Sequence, residues 1–249
     1  MHRFHLPPEA CTETRLRLEG AEARHAIRVL RLRPGEQVAV LDGRGGEYAC
    51  TVAAVDSRRL TLEVHSRRLH RRPACRVGLF QAVAKGRSMD LILQKAVELG
   101  AALIQPVLTA RSVPNYDAKE AAARQARWQA IAIEAMKQCG NPWLPEVRPP
   151  QPFTACLPTP SEGAPVVVAD LAADALPFRA WFLRQREARA WPPTEIALWI
   201  GPEGDFTPEE REQLFAAGAT PVSFGPRILR CETAALYGLA VLQHELQEI

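Results

Sequence analysis

Ile196-Ala197-Leu198-Trp199-Ile200-Gly201-Pro202-Glu203-Gly204-Asp205-Phe206-Thr207-Pro208-Glu209-Glu210 sets an apolar run, a glycine-bracketed turn and a helix start in immediate succession. The apolar run reads as a buried strand, and the two glycines let a ligand approach the backbone closely. Thr207 to Glu210 reads as a capping box with proline at the first helical position, which fixes where the turn stops. Strand, turn and helix in that order make the unit of an α/β sheet, whose ligands bind at the carboxyl ends of its strands. A second unit follows: the apolar stretch Pro221 to Phe224, the loop Gly225-Pro226-Arg227-Ile228-Leu229-Arg230-Cys231-Glu232-Thr233-Ala234, and a helix from about Thr233 to Leu246. Ile228 and Leu229 are apolar residues in a loop, suited to lining a flat aromatic ligand. The bland alternatives are a tight strand-to-helix turn with no ligand for the first loop and a hydrophobic staple or buried connector for the second. Both loops are expected at the same end of adjacent strands, and neither carries the glycine spacing of a dinucleotide site or the lysine of a nucleoside-triphosphate loop.

From Cys75 onward strands alternate with helices, the pattern of a mostly parallel sheet covered on both faces. The remaining strands are Val77 to Val83, Leu103 to Leu108 and Val166 to Ala169. Met89, Ile92, Leu93, Ala96 and Leu99 recur at helical spacing and Gly100 ends that helix, while Asp117 to Cys139 makes a longer one. Asn141 to Pro165, rich in proline, reads as a connecting loop. Before Cys75 the chain has another character. Gln37 to Leu41 and Tyr48 to Val55 flank Asp42-Gly43-Arg44-Gly45-Gly46 as a hairpin, Leu60 to Val64 adds a strand, and a helix over Ala21 to Arg31 interrupts. A small β-barrel is expected over residues 1–72, followed by a linker ending at Pro73 and an α/β domain over 73–249.

Apolar residues make up 47% of the 249 and charged residues 24%, ordinary globular usage that excludes wholesale disorder. Net charge is only +3, but the lysines are Lys85, Lys95, Lys119 and Lys137 alone, so nearly all positive charge is arginine. Arginine suits phosphate and base contacts, although genome composition or thermal adaptation produces the same bias. Arg58, Arg59, Arg67, Arg68, Arg71 and Arg72 crowd one stretch and suggest a local basic surface. The six cysteines are scattered, with no C-x-x-C and no zinc-like histidine spacing, so reduced thiols, a cytoplasmic location and no metal are expected. Met1 to Pro8 lacks the apolar core of a signal peptide, and no run approaches a membrane span.

Gly201-Pro202-Glu203-Gly204 followed by Gly225 to Ala234 resembles the signature of the RsmE family of 16S ribosomal RNA uridine N3-methyltransferases, of the SPOUT class. Lys85, Arg87 and Asp90, Gln94-Lys95, Glu98-Leu99-Gly100, Arg111-Ser112, Arg127-Trp128, Glu134-Ala135 and Gln138 match in family order. Arg3-Phe4 and His25 to Arg31 match more softly, so the likeness covers essentially the whole chain. Asp205 departs from the pattern where a second glycine is usual, Cys231 where threonine is common, and Asn141 near a frequent arginine. A carboxylate at 205 can hydrogen-bond the N-terminus of the following helix instead of opening the loop.

The resemblance implies a SPOUT-type parallel sheet with a C-terminal trefoil knot, which periodicity could never reveal. It implies a PUA-like, RNA-binding barrel over residues 1–72 and S-adenosylmethionine as cofactor. Ile200, Gly201, Glu203, Gly204, Phe224, Gly225, Ile228, Leu229, Arg230 and Thr233 would hold that cofactor. Arg230 would face the base and offset its developing charge, with Glu203 accepting a proton and Glu232 orienting Arg230, unless the two carboxylates only cap helices. Arg3, Arg28 and Arg31 in the first domain, and Lys85, Arg87 and Arg111 in the second, would contact RNA, each being by itself an ordinary solvated charge. The implied partners are 16S ribosomal RNA within the small ribosomal subunit and a second copy of the chain. Leu236, Leu239, Ala240, Leu242 and Leu246 give the last helix a face compatible with a homodimer or with packing on its own sheet. Rival readings are a ribose 2′-O-methyltransferase of the same class and a non-catalytic RNA-binding protein.

Overall fold

In a computed structural model the described residues are 1–11, 14–112, 116–157, 164–188 and 190–247. They fall into two compact units, Met1–Arg72 with Ile133–Leu144, and Pro73–Ala132 with Pro145–Ile249.

The first unit is a five-stranded sheet: β1 (His2–His5), β2 (Arg15–Leu18), β3 (Gln37–Leu41), β4 (Gly46–Val55) and β5 (Leu60–Leu69), in the order β1-β3-β4-β5-β2. Alternating residues Leu16, Leu18, Val38, Val40, Leu60 and Leu62 point into one apolar core, as the two-residue period of a strand demands. The β3–β4 turn is pinned by Asp42, whose Oδ1 accepts from the amides of Arg44 (2.7 Å) and Gly46 (2.8 Å). Gly43 and Gly45 adopt φ of +71° and +95°, and a Cβ on Gly45 would come within 2.5 Å of the Trp143 ring. This contact explains why the unit is not one uninterrupted stretch. The Gly45 amide donates to the Pro142 carbonyl, the Leu144 amide to the Gly43 carbonyl, and Lys137, only 7% exposed, pairs with both Glu22 and Glu134 at 2.7 Å.

Two expectations are corrected here. The helix over Ala21 to Arg31 is only α1 (Gly20–Arg24), continued by a π-helical turn over His25–Val29 and ended at Arg31, which has φ of +54°. The supposed linker is not one: β5 runs on to Leu69, placing Arg67 and Arg68 in a ladder with β4, while the Arg71 carbonyl accepts from Trp143 Nε1 and the Arg72 guanidinium stacks over the Trp143 ring.

The second unit is an eight-stranded sheet in which every ladder is parallel. Its strands are β6 (Arg76–Ala82), β7 (Leu103–Leu108), β8 (Glu146–Val147), β9 (Gln151–Pro152), β10 (Val166–Ala169), β11 (Leu176–Pro177), β12 (Glu195–Ile200) and β13 (Thr220–Ser223). The order is β11-β13-β10-β12-β6-β7-β8, with β9 also pairing β7. Helices α2 (Ser88–Glu98), α3 (Ala118–Cys139), α4 (Phe153–Cys156), α5 (Phe178–Ala188), α6 (Pro208–Ala216) and α7 (Cys231–Leu246) connect them. Burial follows the helical stripe in α2, where Met89, Ile92, Leu93, Ala96 and Val97 are covered, and Gly100 closes the helix at φ of +75°. Trp199 anchors one core, stacked on Phe80 with ring centroids 4.7 Å apart and edge-on to Phe153 at 5.9 Å.

Asn141 to Pro165, expected as a loop, instead contains β8, β9 and α4, too short to show a period in the sequence; residues 158–163 lie outside those described. Helix α5, not anticipated, buries Phe178, Trp181 and Phe182. Among the described residues no helix is long and apolar enough to cross a membrane, and no group of three or more His, Cys, Asp or Glu side chains is arranged to hold a metal ion. All six cysteines are unpaired.

Candidate active site

The turn after β12 and the loop after β13 do reach one place, but not from neighbouring strands. β10 lies between β12 and β13 and pairs with both, so the expectation of adjacent strands is corrected. The carboxyl ends of all three strands border one cavity of about 240 Å³. From β10 come Ala169, Asp170 and Leu171; from β12 come Ile200, Gly201, Pro202, Glu203 and Asp205; from β13 come Phe224, Gly225 and Arg227 to Cys231, with Ala234 of α7 behind them. Sequence reasoning missed the β10 contribution, because nothing in Val166 to Leu171 departs from an ordinary buried strand.

The β12 turn is held from several sides. The Asp205 amide donates to the Pro202 carbonyl at 2.9 Å, closing a turn in which Asp205 has φ of +63°. Asp205 Oδ1 accepts from the Phe206 amide at 2.8 Å, and a Cβ on Gly201 would come within 3.2 Å of that oxygen. The carboxylate therefore stays inside the turn, and the start of α6 is capped by Thr207 instead, in a complete capping box with Glu210. Burial raises the Asp205 pKa above its ordinary 3.8, with the Phe206 amide opposing and Asp170 adding to the rise. Arg111 Nη1 donates to the Gly204 and Phe206 carbonyls, so it braces the turn from outside. Glu203 Oε1 accepts from the Lys85 amide at 3.1 Å, tying the turn to the end of β6.

The β13 loop is open by comparison. Gly225 has φ of +110°, Ile228 is 82% exposed, and the amides of Ile228 and Leu229 have no protein partner among the described residues. Arg230 is the N-cap residue of α7 in extended conformation, and its guanidinium has no protein partner among the described residues. Helix α7 starts at Cys231, two residues before the expected Thr233. Asp170, 6% exposed, is bonded through Oδ2 to Arg211 Nε at 2.9 Å and through Oδ1 to the Ala172 amide at 2.8 Å, fixing the β10 rim.

The expected site residues therefore divide. Ile200, Gly201, Glu203, Phe224, Gly225, Ile228, Leu229 and Arg230 border the cavity, whereas Gly204 packs under Arg111 and Thr233 faces outward on α7. Glu232 does not meet Arg230: its Oε2 accepts from Cys231 Sγ at 3.3 Å, and the Cys231 thiol is pushed up to about 12 by burial and then by that bond. Lys85 and Arg87 are exposed on the turn between β6 and α2, Arg28 and Arg31 are exposed on the π-helical turn and just past it, and Arg3 donates to the Gln138 carbonyl at 3.3 Å.

These residues fit a cofactor with an adenine ring and a charged amino-acid tail. The free amides of Ile228 and Leu229 beside apolar side chains suit a flat heterocycle, and carboxylates on one rim with the Arg227 guanidinium on the other suit a zwitterion bearing an extra positive charge, which leaves Arg230 for the substrate.

Comparison with known proteins identifies the class. A family model described as an RNA methyltransferase domain matches residues 71–243, and one described as an RNA methyltransferase PUA domain matches residues 18–64. A ribosomal RNA small subunit methyltransferase E from Synechocystis sp. is 33% identical over 99% of this chain and 78% of that one. The enzyme of that name from Bacillus subtilis is 28% identical over 92% and 90%. The crystal structure of a ribosomal RNA small subunit methyltransferase E from Neisseria gonorrhoeae, bound to S-adenosylmethionine, superposes with a TM-score of 0.86 at 31% identity, covering 98% of this chain and 97% of that one. The chain belongs to the ribosomal RNA small subunit methyltransferase E family.

Proposed function

We propose that this chain transfers a methyl group from S-adenosylmethionine to N3 of a uridine in the 16S ribosomal RNA of the small ribosomal subunit. The observation that carries this reading is the convergence of three strand ends on one cavity, in a chain matched along its length by that family. When bound, the cofactor supplies an electrophilic methyl group on a sulfonium. The protein's own part is positioning and electrostatics. Ile228 and Leu229 present apolar surface and free amides to the ring system, and the braced turn Gly201 to Asp205 sets the opposite wall. Arg230, at the head of α7 with its guanidinium unpaired among the described residues, offers its charge to the base carbonyls as the N3 proton leaves. Glu203 keeps Oε1 on the Lys85 amide and has Oε2 for that proton.

The same reading places the enzyme in the cytoplasm as a homodimer and gives the second unit a trefoil knot. It is tested by mass mapping of 16S RNA after incubation of unmodified small subunits with the protein and cofactor, beside calorimetric titration of the cofactor alone. The expected product is one N3-methyluridine, with Arg230→Ala losing roughly a hundredfold in kcat while cofactor affinity changes less than about threefold. A ribose methyl group, or no heat with the cofactor, would overturn the reading.

A further inference from the structure

A second cavity, of about 330 Å³, lies beside the first, and the mechanism above uses none of its side chains. Its walls are the end of β6 with Lys85, the first turn of α2 with Asp90, the α3 residues Arg124, Arg127 and Trp128, and Tyr116. Three cations thus face one carboxylate, and that carboxylate is already engaged, since Arg127 Nη2 donates to Asp90 Oδ2. The excess charge is positive and gathered in a recess, which favours an anionic group far more than the same charges on an open surface. The recess is also built for something flat. The Arg124 guanidinium lies over the Tyr116 ring, 5.6 Å from its centroid, and the buried Trp128 lines the same recess. An anionic ligand with a planar part is a nucleotide, and Arg and aromatic planes are what single-stranded RNA bases stack on.

The position matters as much as the chemistry. Lys85 belongs to this recess, and its amide is bonded to Glu203, which borders the cofactor cavity. The two cavities are therefore joined through one hydrogen-bonded pair. Methylation of a ring nitrogen used in base pairing requires the target base to leave its helix, and the strand beside it must be kept from re-stacking.

We propose that this recess holds one unstacked nucleotide of the RNA strand next to the methylated residue, with its phosphate on Lys85, Arg124 and Arg127 and its base against the Arg124–Tyr116 pair. The inference rests on reading the chain as an RNA methyltransferase. It is tested by fluorescence anisotropy with a labelled single-stranded oligouridylate and with an RNA duplex of equal charge, which needs no methyl transfer. The wild type is expected to favour the single strand. Tyr116→Ala and Arg124→Gln should each weaken single-strand binding about tenfold, the usual worth of a base stack. Arg179→Gln removes an equal charge from an exposed site on α5 and should change binding less than about twofold. Calorimetry with S-adenosylmethionine on each variant should match the wild type, showing the fold and the cofactor site intact. Equal losses in Arg124→Gln and Arg179→Gln, or undiminished binding by Tyr116→Ala, would overturn the proposal. Failure of the wild type to bind the cofactor while RNA binding keeps this dependence would instead sink the proposed reaction and leave the recess assigned.

Discussion

Asp205 combines a left-handed backbone, a buried carboxylate and a bond to the next amide. A folded-state pKa above the ordinary value means that the folded protein holds this proton more readily than the unfolded chain does, so ionisation at neutral pH works against folding. The stability lost to that ionisation is recovered as pH falls through the raised value toward 3.8. Asparagine keeps the acceptor oxygen, tolerates the left-handed region and carries no charge. Asp205→Asn is therefore expected to raise stability at pH 7 by roughly 1 kcal/mol or less, with the advantage shrinking as pH drops. Urea denaturation of both proteins across pH measures this, and an advantage independent of pH would refute it. Part of this was legible in the sequence: an aspartate in place of a glycine signals an unusual turn. Where its oxygen goes was not legible, because the Phe206 amide and the helix cap compete for it and only the backbone geometry decides.

Glu210 does two things for α6 and its surroundings. Its Oε2 accepts from the Thr207 amide as half of the capping box, and its Oε1 accepts from the Ala110 amide at 2.8 Å, linking α6 to the segment after β7. Thr207→Ala removes one cap bond and should cost about 1 kcal/mol. Glu210→Ala leaves two amides without an acceptor and should cost about 2 kcal/mol. Equal losses in thermal or urea unfolding would mean that the Ala110 contact contributes nothing. The capping box was readable because its residues are three apart. The partner a hundred positions upstream was invisible to any local pattern. The same limit explains the other elements: β7, β10 and β12 stand out as short apolar runs, whereas β8, β9 and α4 are stabilised by pairing and packing that leave no period.

At the scale of the whole molecule, the parallel sheet was foreseeable from alternating strands and helices, but not its order. Strand order is set by crossovers, and nothing in Val166 to Ala169 says that it will sit between two strands that follow it. Helix α7 illustrates a related ambiguity. Leu239 and Leu242 are buried in a helix that packs on α2, β12 and β6 of its own unit, while Tyr237 and Ala240 remain exposed. The proposed homodimer is checked by sedimentation equilibrium, in which the mass of two chains is expected at micromolar concentration and a single-chain mass would remove the dimer from the reading.

The interleaving of β10 between β12 and β13 also bears on how the protein is made. Synthesis delivers the central member of this trio first and the outer members later, so the binding floor is incomplete until the residues up to Ala234 have emerged from the ribosome. A nascent chain that stops short of Gly225 retains most of its apolar interior yet lacks an entire side of the pocket. Truncated products of this gene would then be able to collapse without ever becoming competent to consume a methyl donor.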